Sequence, residues 1–350
     1  MYLIQSFAVL CALISITAQA QELPALVGPY PVGLSHQEFI DQDFGRPFVV
    51  YLFYPSLKGS EKKATLEYFG PWRTERKEAW RNMFLGHPYI DIDWTLSFLE
   101  HVSTSVPLNS RPMAKTISRP FPVLIFAPGS TGVIQDYAFF LEQIASMGII
   151  VVAAERPVAE GIDKILYLPS QDKYLIYPWT SISDSLEDGE YAANILKKTY
   201  DELSHIAEKS AIIYDKKKVI IAGHSLGGHG AWRASQRSSG VFAFLNLDGD
   251  VSFQTSDNLD YSGKFFLLKI GTRSNAGPDI DETVLATMKN LNTFIIKEGM
   301  DHGSVGNTPF LVDYSPSGKG YFFAQEHNGL RKNASETYSI LAKYIYDLFK

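Results

Sequence analysis

Cysteine is almost missing from this sequence: of 350 residues only Cys11 carries a thiol. A disulfide needs two thiols, so no cross-link within the chain is available, and a cysteine-rich metal site is excluded with it. Charge of either sign is also scarce in excess. Thirty-two Lys and Arg face 38 Asp and Glu, for a formal net charge of -6. No basic stripe offers the electrostatic footprint of a nucleic-acid partner. Long apolar runs are missing too. The one at the start, "FAVLCALISI" over 7–16, is half the length of about twenty residues needed to span a bilayer. Internal repeats and low-complexity tracts do not occur. With 45% hydrophobic and 20% charged residues, the composition is that of a chain that buries a core.

The short apolar run has another reading. Its length suits the apolar stretch of a secretory signal, and "AQA" at 18–20 is a small-x-small cleavage site. The segment before it has no Lys or Arg, only the terminal amine. Cleavage after Ala20 would leave a polar start at Gln21-Glu22. We therefore expect a signal peptide over 1–20, one domain over 21–350, and a secreted location, extracellular or periplasmic. Cys11 follows Leu10 and does not read as a lipidation site. Its removal would leave a domain without thiols, which must rely on its core, as this length permits. The sequon Asn333-Ala334-Ser335 is a candidate glycosylation site, with chance as nearly as good a reading.

Aromatics are plentiful at 13%. Most belong in the core, and a surplus suits an apolar substrate pocket. From about residue 121 short apolar runs alternate with longer amphipathic ones. "FPVLIFAPG" (121–129), "GIIVVAAE" (148–155), "KKVIIAG" (217–223), "VFAFLNLDG" (241–249), "KFFLLKIGT" (264–272) and "NTFIIKEG" (292–299) read as strands. Their continuous apolar character indicates cover on both faces. Helical patterns at 134–146 and 184–209 fall between them, and such alternation predicts an α/β protein with a doubly wound, mostly parallel sheet. "PFVVYLFYP" (47–55) reads as an early strand at the antiparallel edge. Between it and residue 121 lies an aromatic segment too long for a plain loop. It includes helical patterns in 67–86 and 92–102. Residues 66–118 are therefore expected to form a helical insertion, either a substrate cap or an extra packed layer.

The chemistry-bearing stretch is "VIIAGHSLGGHG", 219–230, with Ser225 inside G-x-S-x-G. A strand before it and a helix after it make the strand–turn–helix context of a nucleophile elbow, the serine turn of the α/β-hydrolase fold. The turn is so tight that Gly223, Gly227 and Gly228 are needed for room. A serine hydroxyl needs a base, and in this fold the order is Ser, acid, His. Two histidines lie well downstream. His302 follows the last strand in "KEGMDHGSVGN" and ranks ahead of His327 in "AQEHNGL". His224 and His229 flank the elbow and read as packed or surface residues. Among acids, Asp248 ends the strand 241–249 and ranks first, with Asp250, Asp279 and Asp281 as alternatives. Two amides must meet an oxyanion. One belongs to Leu226, after the nucleophile; the other comes from "APGSTG" (127–132), from Ser130 ahead of Gly129.

These residues resemble the platelet-activating factor acetylhydrolase family of α/β-hydrolases, which cleave short or oxidised acyl groups from phospholipids. The resemblance rests on "FPVLIFAPGSTGVIQDYAFFLEQIASMGIIVVAAERP", "GHSLGG", "LNLDGDV" and "MDHGS". Asp248 follows Ser225 by 23 residues and His302 follows by a further 54, spacings similar to the family's. The resemblance implies Asp248 over Asp279 as the acid, and Ser130 and Leu226 as oxyanion donors. This chain departs in two places: Pro128-Gly129 stands where the family usually has His-Gly, and Glu155-Arg156-Pro157 where it usually has a His-Arg-Asp-like run. The expectation is a secreted serine carboxylic ester hydrolase for short-chain or phospholipid acyl esters, with a Ser-His-Asp triad. It needs no metal or organic cofactor. Its partner is a small ester or a lipid, with transient contact at a membrane or lipoprotein surface. The alternatives are a broader lipase or polyester hydrolase, a dienelactone-type hydrolase, and a non-catalytic binding protein of the same fold.

Overall fold

The computed structural model describes residues 24–42, 45–57, 63–71, 92–113, 120–129, 132–160, 163–178, 184–235, 237–249, 264–270, 291–296, 302–306 and 333–350. Scattered positions within 73–81, and 300, 309 and 313, are also described. The expected signal peptide lies outside these residues, as do Ser130, Asp250, Asp279, Asp281 and His327.

Among the described residues eight strands form the main sheet: β1 (Val32–Asp41), β2 (Arg46–Pro55), β3 (Phe121–Ala127), β4 (Ile150–Glu155), β5 (Tyr214–His224), β6 (Ala243–Leu247), β7 (Lys264–Ile270) and β8 (Leu291–Ile296). Their order is β1-β2-β4-β3-β5-β6-β7-β8. β2 runs antiparallel to both β1 and β4, and every pairing from β4 through β8 is parallel. This is the α/β-hydrolase fold.

Alternation along the strands divides the core in two. Tyr51, Phe53, Leu124, Phe126, Ile220 and Leu245 point to one face; Val50, Leu52, Val123, Ile125, Ile221 and Phe244 point to the other. The first face is covered by α1 (Ile92–His101), α2 (Ala138–Ser146) and α6 (Ala334–Leu348). The second is covered by α3 (Asp184–Asp201), α4 (Leu203–Lys209) and α5 (Leu226–Ser235). Cover on both faces is why these strands are apolar without a break. The helical pattern at 184–209 resolves into two helices parted at Glu202, and the one at 134–146 opens with a single 3-10 turn, Ile134–Tyr137.

One expectation needs correction. β2 is an interior strand, because β1 pairs along its whole length, from Val32 opposite Pro55 to Asp41 opposite Arg46. β1 is harder to see because its sequence, VGLSHQEFID, is half polar and only partly buried. Some of that polarity is satisfied inside: the Gln37 amide donates to the Ile206 carbonyl at 2.9 Å and to the Ser210 hydroxyl at 2.8 Å. Asn333 has a structural use too, since its side chain caps α6 by accepting the Glu336 N–H at 2.8 Å.

Two insertions form small sheets of their own outside the main one. In the first, strand Lys63–Thr65 pairs antiparallel with Ser103–Pro107, and the turn Leu66–Phe69 buries Leu66 and Phe69. Phe69 stacks on Phe53, ring centroids 5.9 Å apart. Following β4, Val158–Glu160, Asp163–Leu168 and Lys173–Pro178 make a three-stranded antiparallel sheet. The two insertions meet where buried Arg76 donates to the Gly70 carbonyl (3.0 Å) and the Tyr174 hydroxyl (3.2 Å). Further out, Arg73 meets Asp172 at 2.6 Å, and Glu38 accepts from both the amide and the hydroxyl of Ser170.

Candidate active site

Ser225 sits between the last residue of β5 and the first of α5, with φ at +53°. A non-glycine residue in this left-handed region carries a cost of roughly 1–2 kcal/mol, which the surroundings must outweigh. They do so by holding its backbone at both ends. The Ser225 N–H donates to the Leu247 carbonyl of β6 at 3.0 Å, and its carbonyl accepts the His229 N–H at 3.0 Å. The flanking glycines are a matter of space. A Cβ on Gly223 would lie 2.1 Å from the Gly227 carbonyl, and one on Gly227 would lie 2.3 Å from the Ala127 carbonyl oxygen. Strand, turn and helix therefore close on each other at backbone contact.

Asp248 follows β6 immediately and is also left-handed, with φ at +55°. Its N–H donates to the Leu268 carbonyl of β7 at 2.8 Å. Its side chain, 3% exposed, uses both oxygens: Oδ1 accepts the Ile270 N–H at 3.1 Å and Oδ2 meets His302 Nδ1 at 2.7 Å. An acceptor on Nδ1 fixes which imidazole nitrogen carries the proton, leaving Nε2 as the basic atom. His302 opens a short 3-10 turn, His302–Val305, and is 22% exposed. Its ring lies against that of His224, centroids 4.4 Å apart and tilted by 39°. His224 is the residue before Ser225, so the imidazole that Asp248 holds is stacked beside the nucleophile turn.

The loop after β3 closes the same site. A Cβ on Gly129 would lie 3.2 Å from the Ser225 Cβ. Its conformation is held by groups that sequence reasoning passed over. Arg156, 2% exposed, donates to the Pro128 carbonyl at 3.3 Å and the Gly129 carbonyl at 3.2 Å. Its neighbour Glu155 accepts the Ile134 N–H at 2.6 Å. Asp136 accepts the Val133 N–H at 3.1 Å. The Tyr137 hydroxyl accepts the Gly129 N–H at 3.1 Å and lies 2.8 Å from His224 Nδ1. Burial pushes the Tyr137 hydroxyl well up, so it stays protonated. The Gly129 amide, one of the two sequence candidates for the oxyanion, is therefore already engaged. Leu226 is the first residue of α5, where an amide has no partner within the helix and the helix dipole favours negative charge.

His224 and His229 are both buried. For His229 the packed reading stands. It stands for His224 too, whose ring packs against Tyr137 and His302. The signal for Arg156 and Glu155 was present in the sequence as the departure at 155–157, without a structural reason attached.

Comparisons with known proteins bear on the fold and on the class of reaction. The family model described as platelet-activating factor acetylhydrolase, isoform II, matches residues 15–158, a span that takes in β1 to β4 and the loop after β3. Ser225, Asp248 and His302 lie beyond it. No curated protein matches in sequence. Among solved structures, a ferulic acid esterase from Streptomyces cinnamoneus is 21% identical, over 94% of this chain and 92% of that one, with a TM-score of 0.63. A dienelactone hydrolase-like promiscuous phosphotriesterase from metagenomic libraries is 11% identical, over 91% and 99%, with a TM-score of 0.48. The first of these shares the fold. Family match and fold together support a hydrolase of the α/β-hydrolase type acting on carboxylic esters.

Proposed function

We propose, on the premise of that family match, that the protein is a secreted serine esterase acting on short-chain or phospholipid acyl esters. The observation that carries the reading is the 2.7 Å contact of Asp248 Oδ2 with His302 Nδ1, made beside a left-handed Ser225. Nucleophile, acid and base come from the carboxyl ends of β5 and β6 and from the segment after β8, respectively.

In the reaction, Ser225 Oγ attacks the ester carbonyl carbon while His302 Nε2 takes its proton. Asp248 orients the imidazole and stabilises the imidazolium. The amides of Leu226 and Ser130 hold the oxyanion of the tetrahedral intermediate. Collapse breaks the ester C–O bond, and His302 returns the proton to the leaving alcohol. Water, deprotonated by His302, then attacks the acyl-enzyme, and the acid leaves with Ser225 restored. The chain's own groups supply every proton transfer. Export is directed by the leader over 1–20, which amino-terminal sequencing of exported protein would check.

The test is a panel of nitrophenyl and phospholipid esters graded by acyl length, with Ser225→Ala as control. Wild-type rates should peak at short acyl chains, and Ser225→Ala should lose at least about 10³-fold in kcat. A peak at long chains would turn the reading toward a lipase or polyester hydrolase. Failure of a fluorophosphonate to label the wild-type protein would refute catalysis by Ser225 altogether.

A further inference from the structure

The buried Tyr137–His224 pair is not one of the reacting groups, yet it touches both halves of the site. We propose that Tyr137 and His224 are positioning residues that couple the loop carrying the oxyanion donor to the general base, so that the two are set in register by one hydrogen-bonded unit. The inference rests on the reading of Ser225, His302 and Asp248 as the triad.

The argument begins with the proton of the Tyr137 hydroxyl. The residue is 5% exposed, so its proton needs a partner inside the protein. Its oxygen already accepts the Gly129 N–H, and among the described residues its other partner is His224 Nδ1 at 2.8 Å. With the hydroxyl assigned as the donor to Nδ1, His224 carries its proton on Nε2 as a neutral ring. That orientation runs a directed chain from the Gly129 amide through the tyrosine hydroxyl to the histidine ring. The same ring lies 4.4 Å from the His302 centroid. A neutral aromatic ring stacked there confines the catalytic imidazole, and its π face tolerates the positive charge that His302 gains in the transition state.

The loop end of the chain has a matching purpose. Because Tyr137 occupies the Gly129 amide, the peptide planes on either side of Gly129 are fixed, with the Pro128 and Gly129 carbonyls turned toward Arg156. Any oxyanion donor that this loop supplies depends on that arrangement. A shift of one peptide plane is enough to spoil an oxyanion donor. Tyr137 itself is anchored by its ring, 5.2 Å from Phe126 and 5.6 Å from His224. Removing the hydroxyl therefore deletes the two hydrogen bonds and leaves the ring packed.

The experiment compares wild type with Tyr137→Phe, His224→Asn and His224→Ala in steady-state kinetics on a short-chain ester and in the rate of fluorophosphonate labelling, with thermal midpoints measured alongside. Asparagine can place an acceptor near where Nδ1 stands; alanine cannot. Tyr137→Phe should lower kcat and the labelling rate together by about tenfold or more, with KM within about twofold and a midpoint only a few degrees lower. His224→Asn should keep more of the labelling rate than His224→Ala. Wild-type labelling and kcat in Tyr137→Phe would overturn the proposal while leaving the triad intact. Should Tyr137→Phe fail to fold, equal rates for the two His224 variants would overturn it in the same way. A wild-type protein that is not labelled would instead defeat the triad reading beneath it.

Discussion

Arg156 at the loop after β3 and Arg73 at the outer insertion use the same guanidinium chemistry and differ in what surrounds it. Arg156 is 2% exposed and holds two backbone carbonyls whose direction the site depends on. Arg73 pairs with Asp172 at 2.6 Å, but the two side chains are 38% and 72% exposed. In the first place water cannot substitute for a lost partner, and the bonded groups are peptide planes with one workable orientation. In the second, water replaces either partner, and two long side chains must be ordered to make the contact. Proximity and charge are alike; desolvation decides which contact shapes the molecule.

Three substitutions probe that contrast, in falling order of expected effect. Gly223→Ala should be the most damaging, because its methyl would stand 2.1 Å from the Gly227 backbone, which cannot move aside. Loss of soluble folded protein, or of all fluorophosphonate labelling in what remains, is the expected outcome; a labelled variant of normal stability would mean the elbow opens more easily than its contacts imply. Arg156→Lys comes next. One ammonium cannot reproduce a planar fork that serves two carbonyls, so kcat should fall about tenfold with little change in KM, measured on the same short-chain ester. Arg73→Ala should leave kcat and thermal midpoint at wild-type values. A clear loss there would show that the tie between the insertions governs the site, and the contrast drawn above would fail.

The legible part of the fold was its parallel half. β3 to β8 announce themselves because strands covered on both faces must be apolar throughout, and Ser225 stands out because only glycines fit around its turn. Asp248 was legible because it ends one of those strands. β1 was not, since an edge strand solvated along part of its length carries Ser35, His36, Gln37 and Glu38 in sequence and reads as loop. Arg156 and Tyr137 were hidden for a different reason. Their partners are backbone groups, and nothing in a one-dimensional pattern tells which peptide a side chain will meet across 27 or 8 residues. What the sequence does not show is the neighbour His224 packs against, since its contact with His302 exists only once residues 78 apart in sequence, 224 and 302, are folded together.

β1 also bears on how such a molecule survives in crowded surroundings. An open sheet of eight strands ends in unpaired backbone groups, an invitation to stack against a second copy and to grow into aggregates. Here the Leu34 carbonyl on that margin is taken by the Asn109 N–H at 2.7 Å, and the Glu38 carboxylate is clipped to Ser170. A chain whose sequence holds no pair of cysteines has no covalent brace to limit partial opening. Blunting that margin with a borrowed amide and one clipped carboxylate works against such stacking by other means.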